Sequence, residues 1–463
     1  MNFKQFYLGC LSHASYYLGS DGEAAIIDPQ RDVQQYIDEA AAYGETIKYV
    51  IETHSHADFV SGHVELASKT GAEIVYGERA NTQFPTHKVA DGDLLNIGKI
   101  QLKFLETPGH TPEGITIVAT DTANPSEPMK LFTGDTLFIG DVGRPDLIGS
   151  IGFTAQQMGE MLYDSLNEKI LPLPDETEIY PAHGAGSLCG KSLSKETWST
   201  LGNQRRFNYA LQPMSRDEFV KIVASDQPEV PMYFPKSAAK NLEGSVSLAD
   251  LPKPGELSPD EIRAFDGVVV DVRQNFEYGA GHIPNSVNIG LGGQFASWAG
   301  TLIPIGNAIA IVARNQDQVD EAVTRLARVG HELATGFIFF ADYQGDLQVV
   351  EQLNVEEASK FTSSSQNFQF IDVRRPGEYA AVHAATAENR PLDTLAGHLD
   401  GLDPAAPTVV ICQGGYRSSI GTSILENAGF SELYNVTGGT AAWIEAGNPT
   451  EATGIFQNAE RSG

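Results

Sequence analysis

Cysteine is nearly missing from this chain: 463 residues contain three, Cys10, Cys189 and Cys412. So sparse and odd a set builds no disulfide framework and points to a reducing compartment. Positive charge is scarce as well. Lysine and arginine number 31 against 60 aspartates and glutamates, a formal net charge of −29. Phosphate backbones are repelled by such a surface, so nucleic acid is excluded as the expected partner, and solubility alone accounts for the acidity. No apolar run reaches the roughly 18 residues needed to span a bilayer. The start, MNFKQFYLGCLSHASYYLG, lacks a basic segment ahead of a long apolar one. The expectation is a soluble, cytoplasmic protein with no membrane partner.

Apolar residues make up 41% and charged residues 20% of the chain, enough to bury real cores. The length suggests about three domains. In the first half, AAIIDP (Ala24 to Pro29) and KYVIETHSH (Lys48 to His56) read as buried strands ending in polar residues. Between them DVQQYIDEAAAYG has helical spacing with Asp32 at its start. Further strands are expected at IQLKFLETPGH, ITIVAT, MKLFTGDT and TEIYPAHG, and one periodic helix over Phe153 to Leu171. Beyond about Lys240, NLEGSVSLADLPKPGELSPDE reads as a linker. One pattern then occurs twice, as VVVDVRQNFEY (Val268 to Tyr278) and FQFIDVRRPGEY (Phe368 to Tyr379). Each copy is a buried strand leading to helices, as parallel α/β units require, and a repeat of domain size means duplication.

The motif THSHADF sets His54, His56 and Asp58 directly after an apolar strand. Imidazoles at i and i+2 on a loop can converge on one metal, and Asp58 adds a hard oxygen. His110 in TPGHTPEG, Asp135 in FTGDTLF and His183 in YPAHGAG stand at the ends of later strands and are further candidates. His13, His87 and His331 read as structural.

These motifs resemble the metallo-β-lactamase superfamily over residues 1–245, which implies an αββα sandwich with its metal site along the sheet edges. The binuclear members carry H-x-H-x-D-H, and Phe59 stands at the last position here. A phenylalanine has no lone pair, so a mononuclear site is expected. Within the superfamily, GDTLFIGDVGRPDL (Gly134 to Leu147), LPLPDETEIYPAHGAG and NQRRFNYALQPMSRDEFVKI are similar to the persulfide dioxygenases. That resemblance implies one Fe(2+) per chain held by His54, His110 and Asp135, with open positions for water, persulfide and O2. It sets His56, Asp58 and His183 around the ligands as orienting groups. Arg144 and Asp146 become a supporting ion pair under the Asp135 loop. Zinc cannot pass electrons to O2, whereas iron(II) can.

Near the end, VVICQGGYRSS runs from an apolar strand into Cys412, two glycines, Arg417 and Ser418. Glycines let successive N–H groups curl into an anion nest, and the next helix points its positive end at the same spot. Both effects, with Arg417 adjacent, favour a thiolate and a charged persulfide. The loop resembles the C-x-x-G-x-R-S loop of the rhodaneses, doubly wound α/β sulfurtransferases, and assigns residues 352–460 to that fold. Cys412 is then the nucleophile and Arg417 a substrate contact. The usual G-H-I-x-G-A segment is replaced by AAVHAAT around His383, so a different loop shape is expected there. The middle repeat, residues 253–348, keeps GHIPNSVNI but has Ala313 at the cysteine position. It reads as an inactive rhodanese-like domain, a spacer or docking surface. Cys189, close in sequence to His183, is a candidate sulfur carrier or gate, while Cys10 is expected to be structural within a strand.

The domain order resembles the bacterial persulfide dioxygenase–sulfurtransferase fusions. It implies oxidation of a low-molecular-weight persulfide by O2 to sulfite, with Cys412 making or using thiosulfate, in sulfide detoxification. The rivals are a zinc-dependent thioester hydrolase of the glyoxalase II type and a non-enzymatic sulfur carrier. Phe59 weighs against the first, and the full ligand set against the second. The sequence leaves open the direction of transfer and the carrier thiol, for which Arg205, Arg206 and Tyr233 are candidate contacts. A homo-oligomer, dimer or tetramer, is the working expectation.

Overall fold

The computed structural model describes residues 1–147, 152–191, 193–225, 227, 230–365 and 367–453. The last part of the expected third domain, residues 454–460, lies outside the described residues. Two compact units form: Met1–Leu251 with Ala327–Gly330, and Pro252–Leu326 with His331–Gly463. Among the described residues no helix is long and apolar enough to cross a membrane.

The first unit holds two six-stranded sheets. One runs in chain order through β1 (Asn2–Leu8), β2 (His13–Ser20), β3 (Glu23–Ile27), β4 (Thr46–Ile51), β5 (Glu73–Gly77) and β6 (His87–Val89). The other contains β7 (Leu94–Ile97), β8 (Ile100–Glu106), β9 (Ile115–Asp121), β10 (Lys130–Gly134), β11 (Glu178–Pro181) and β12 (Ser199–Thr200). Successive side chains on a strand face opposite ways, and the cores follow that period. In β2, Tyr16 and Leu18 enter the core between the sheets, while Tyr17 packs towards α1 (Gln34–Tyr43) and α2 (His63–Thr70). In β10, Phe132 joins the central core and Leu131 faces α3 (Ala155–Asp164). The result is a four-layer αββα sandwich, as expected.

Several local expectations fail. Helix α1 begins at Gln34 behind Val33, without a side-chain cap from Asp32. The helix expected to run unbroken to Leu171 is α-helical only to Asp164 and then π-helical over Ser165–Ile170, where Ser165 Oγ donates to the Pro108 carbonyl. Cys10 lies in the turn after β1, half-buried, and not in a strand. The linker is partly structured: β13 (Gly255–Glu256) pairs with Gly336 and Phe337, which supply the backbone partners it needs.

The second unit holds two five-stranded parallel sheets. The first orders β13, β17 (Ala334–Phe339), β16 (Ile309–Ala313), β14 (Val268–Asp271) and β15 (Ser286–Asn288). The second orders Glu351–Leu353, Leu433–Val436, Thr408–Ile411, Gln369–Asp372 and Glu388–Asn389. Their central strands are buried throughout, as parallel sheets covered on both faces require. The twin motifs fold alike: Arg273 pairs with Asp271 and Arg374 with Asp372, at 2.6 and 2.7 Å. His282 and His383 each stack at 3.7 Å on the tyrosine four residues earlier and donate Nδ1–H to its carbonyl. The different loop shape expected at His383 is therefore absent at the histidine itself, because a tyrosine precedes it by one helical turn in both repeats.

Candidate functional site

In the first unit the candidate residues leave the ends of β4, β8, β10 and β11. Asp28, in the left-handed region at φ 50° after β3, accepts the Thr53 amide at 2.7 Å and its hydroxyl at 2.8 Å. With its proton given to Asp28, the Thr53 hydroxyl accepts from His54 Nδ1 at 3.0 Å. His110 Nδ1 donates to the Arg144 carbonyl at 3.0 Å. Both imidazoles therefore present a lone pair at Nε2. Those two nitrogens approach Asp135 Oδ2 at 3.7 Å (His54) and 3.4 Å (His110). Three acceptors thus face one point with no proton between them. His54 Nε2 and Asp135 Oδ2 are buried and without a hydrogen-bond partner. A buried arrangement of that kind costs several kcal/mol, of order 2–7 per group, unless a cation fills it. The donor set fits a metal ion.

His183 is a different kind of group. Its Nδ1 lies 2.7 Å from Asp135 Oδ1 and its Nε2 2.8 Å from Asp58 Oδ2. Burial lowers its pKa, but the two carboxylates outweigh burial and hold the imidazole protonated well above its ordinary range. Burial pushes the Asp135 carboxyl up, but the His183 imidazolium 2.7 Å away outweighs it and holds the carboxyl well below the usual range. His56 turns away from Asp135 towards Asp28 Oδ1, at 3.1 Å. Phe59 is buried, its ring centre 4.5 Å from that of His56 and 4.1 Å from that of His13. His56, Asp58 and His183 still form a second close group.

Arg144 and Asp146 pair through two hydrogen bonds of 2.7 Å. Gly143 is required beside them, since a Cβ there would meet the Asp135 carbonyl at 2.0 Å and His110 Nδ1 at 2.9 Å. Cys189 lies within metal-ligand range of Asp135 and His183; burial, then Asp58 and Asp135, push its thiol well up. Of the candidate thiol contacts, Arg206 is exposed and Arg205 donates to the Leu171 and Leu173 carbonyls. Tyr233 is buried, its phenol pushed well up by burial and then by Asp58 and Cys189. Sequence reasoning missed Asp28 and Thr53, although a polar residue ending each apolar strand was visible.

In the second unit Cys412 ends the strand Thr408–Ile411. The Gly415 N–H donates to its Sγ at 3.1 Å and Ser418 Oγ at 3.3 Å, with Gly415 at φ 96°. The helix Tyr416–Asn427 starts there. Arg417 makes two 2.7 Å bonds to Glu378, so its guanidinium is shared with a carboxylate. Burial lowers the Arg417 pKa, but Glu378 and then Cys412 raise it further above its ordinary value. In the middle repeat Ala313 is buried at the end of β16, and Arg314 pairs with Glu277 much as Arg417 does with Glu378.

The metallo-beta-lactamase superfamily matches residues 8–183, and the rhodanese-like domain matches residues 258–345 and again 355–446. The mitochondrial persulfide dioxygenase ETHE1 of Bos taurus is 35% identical over 217 residues, covering 45% of this chain and 75% of that protein. The ETHE1 of Homo sapiens is 34% identical over 219 residues, covering 46% and 76%. A crystal structure of a metallo-beta-lactamase from Staphylococcus aureus shares 35% identity, with TM-score 0.66, and covers 73% of this chain and 98% of that one.

Proposed function

The chain belongs to the metallo-beta-lactamase superfamily, as a homologue of the persulfide dioxygenases followed by two rhodanese-like segments, and on that premise we propose a two-site enzyme of sulfur oxidation. Residues 1–245 oxidise a low-molecular-weight persulfide with O2 at one iron(II) per chain. Residues 352–460 move sulfur through Cys412, and residues 253–348 are catalytically inert. Three cysteines with no disulfide among them suit the cytoplasm.

The carrying observation is the convergence of His54 Nε2, His110 Nε2 and Asp135 Oδ2 in a buried pocket. Two imidazoles and a carboxylate with open positions are the set that suits non-haem iron(II). Bound there, iron(II) would supply a redox-active centre through which the persulfide sulfur can pass electrons to O2, which zinc could not. The protein's own part is orientation. Thr53 and the Arg144 carbonyl fix both imidazole tautomers, and the His183 imidazolium occupies Asp135 Oδ1 so that Oδ2 alone faces the pocket. Phe59 closes the side on which a second metal would need a ligand. In the balanced reaction a persulfide, O2 and water give thiol and sulfite. The S–S bond breaks, and the terminal sulfur loses the four electrons that O2 gains.

At Cys412 the thiolate attacks the sulfane sulfur of thiosulfate. An S–S bond forms, the old one breaks, and sulfite leaves with the electron pair. The reverse step makes thiosulfate. The Gly415 amide and Ser418 hydroxyl stabilise the charge on sulfur throughout.

An oxygen electrode with glutathione persulfide and coenzyme A persulfide, run beside elemental analysis, tests the reading. The expected result is about one iron per chain and about one O2 consumed per persulfide, with sulfite formed. Two tightly held zinc ions, thioester hydrolysis and no O2 uptake would replace it with the hydrolase.

Asp146→Asn should weaken iron binding about tenfold without abolishing O2 uptake, since partners that orient a ligand are worth about 10–100-fold in metal affinity. The path runs from Asp146 through Arg144 to the carbonyl that orients His110. Chelator competition measures it; unchanged affinity would free the ion pair from any part in the metal site.

A further inference from the structure

The inactive repeat touches the catalytic loop of the active one. Along the helix Tyr416–Asn427, Tyr416 OH donates to the Gly290 carbonyl at 2.8 Å and Ser419 Oγ to Asn288 Oδ1 at 2.7 Å. Further along, Ser423 Oγ accepts the Asn288 amide at 3.2 Å, and Glu426 meets His282 Nε2 at 2.7 Å. Positions 416, 419, 423 and 426 form one helical stripe. Every one of them meets the middle repeat.

At the head of this stripe sits Asn275. Its Nδ2 donates to the Gly415 carbonyl at 3.3 Å, as does Asn435 Nδ2, also at 3.3 Å. The same Nδ2 would lie 3.4 Å from a Cβ on Gly415. Gly415 is the residue whose amide donates to Cys412 Sγ. It holds φ at 96°, where no side chain of its own restrains it. Alignment of Asp271 with Asp372 places Asn275 opposite Pro376, at the first position of the equivalent helix. Proline is favoured at that position. The middle repeat gives up that preference for an amide that reaches the other repeat.

We propose that Asn275 is a positioning residue for Cys412: with Asn435 it clamps Gly415, so that the Gly415 N–H stays aimed at the reacting sulfur. The inactive repeat is thereby part of the sulfur-transfer machinery and not a passive spacer. This rests on Cys412 being the nucleophile.

Asn275→Pro is the sharp test. Gln274 already has φ −67° and ψ 152°, the conformation that precedes a proline, and the twin helix carries proline at this place. Asn275→Ala is the second variant. Sulfur transfer from thiosulfate to cyanide, giving sulfite and thiocyanate, is followed with the full-length protein, beside Cys412→Ser. Alkylation of Cys412 by iodoacetamide is timed by mass spectrometry, and thermal midpoints are recorded. Loss of one of two clamping hydrogen bonds should lower kcat about fivefold and slow alkylation similarly, with KM for thiosulfate within about twofold and the midpoint within a few degrees. Wild-type kcat in both Asn275 variants, with Cys412→Ser inactive, overturns the clamp and leaves the nucleophile standing. A kcat loss that appears only with a collapsed thermal midpoint overturns it too. Full transfer by Cys412→Ser refutes the nucleophile, and the clamp with it.

Discussion

His110→Ala should remove the metal and O2 uptake together. His110 Nε2 is one of three lone pairs that meet at a buried point, and the variant leaves only His54 and Asp135 there. Two ligands hold iron(II) poorly, and the loss must exceed the roughly 10–100-fold cost of disturbing a mere orienting group. Iron should fall from about one per chain to a trace, and O2 consumption by more than about 100-fold. His56→Ala is the contrast. That imidazole faces Asp28 and Glu52, so the variant should keep its iron while losing some stability. Elemental analysis after anaerobic purification, with an oxygen electrode, measures both. Iron lost from the His56 variant and kept by the His110 variant would invert the ligand assignment.

Cys412→Ser should abolish sulfur transfer and spare persulfide oxidation. A serine hydroxyl is far less acidic than a thiol and forms no stable persulfide, so transfer should drop at least about 1,000-fold, as removal of a nucleophile does elsewhere. O2 uptake should stay within about twofold, because the ligand set of the first unit contains no part of this loop. Ala313 at the same place in the middle repeat, buried at the end of β16, indicates that this fold tolerates a missing thiol. Product analysis should show thiosulfate giving way to sulfite. Thiosulfate made at the wild-type rate, above the non-enzymatic background, would refute Cys412 as the carrier and turn attention to Cys189, beside Asp135 and His183.

Much of this was legible in the chain itself. Alternating and continuous apolar runs placed the strands, since side-chain direction on a strand is a local property. The duplicated Asp-Val-Arg motif announced twin parallel sheets, and the apolar run through Val410 and Ile411 announced the strand that ends at Cys412. All of these depend on residue type and near neighbours.

Proton positions and partners were not legible. Six groups at strand ends were candidates for one metal, and spacing alone could not divide them. The fold gives them different surroundings, supplying Asp28 to Thr53, the Arg144 carbonyl to His110, and two carboxylates to His183, while His56, Asp58 and His183 remain a second close group. A lone pair is free for a metal only when the other nitrogen has a donor's role; for His110 the carbonyl that fixes it lies 34 residues along the chain, and for His54 the neighbouring Thr53 hydroxyl is itself oriented by Asp28. The same holds for Arg417, which the sequence offered to substrate and the fold also ties to Glu378, and for Asn275, whose importance lies in a carbonyl of the other repeat. Sequence determined which chemical groups this protein owns and on which strand ends they stand; tertiary structure decided where each proton sits, because hydrogen-bond partners are chosen by proximity in space.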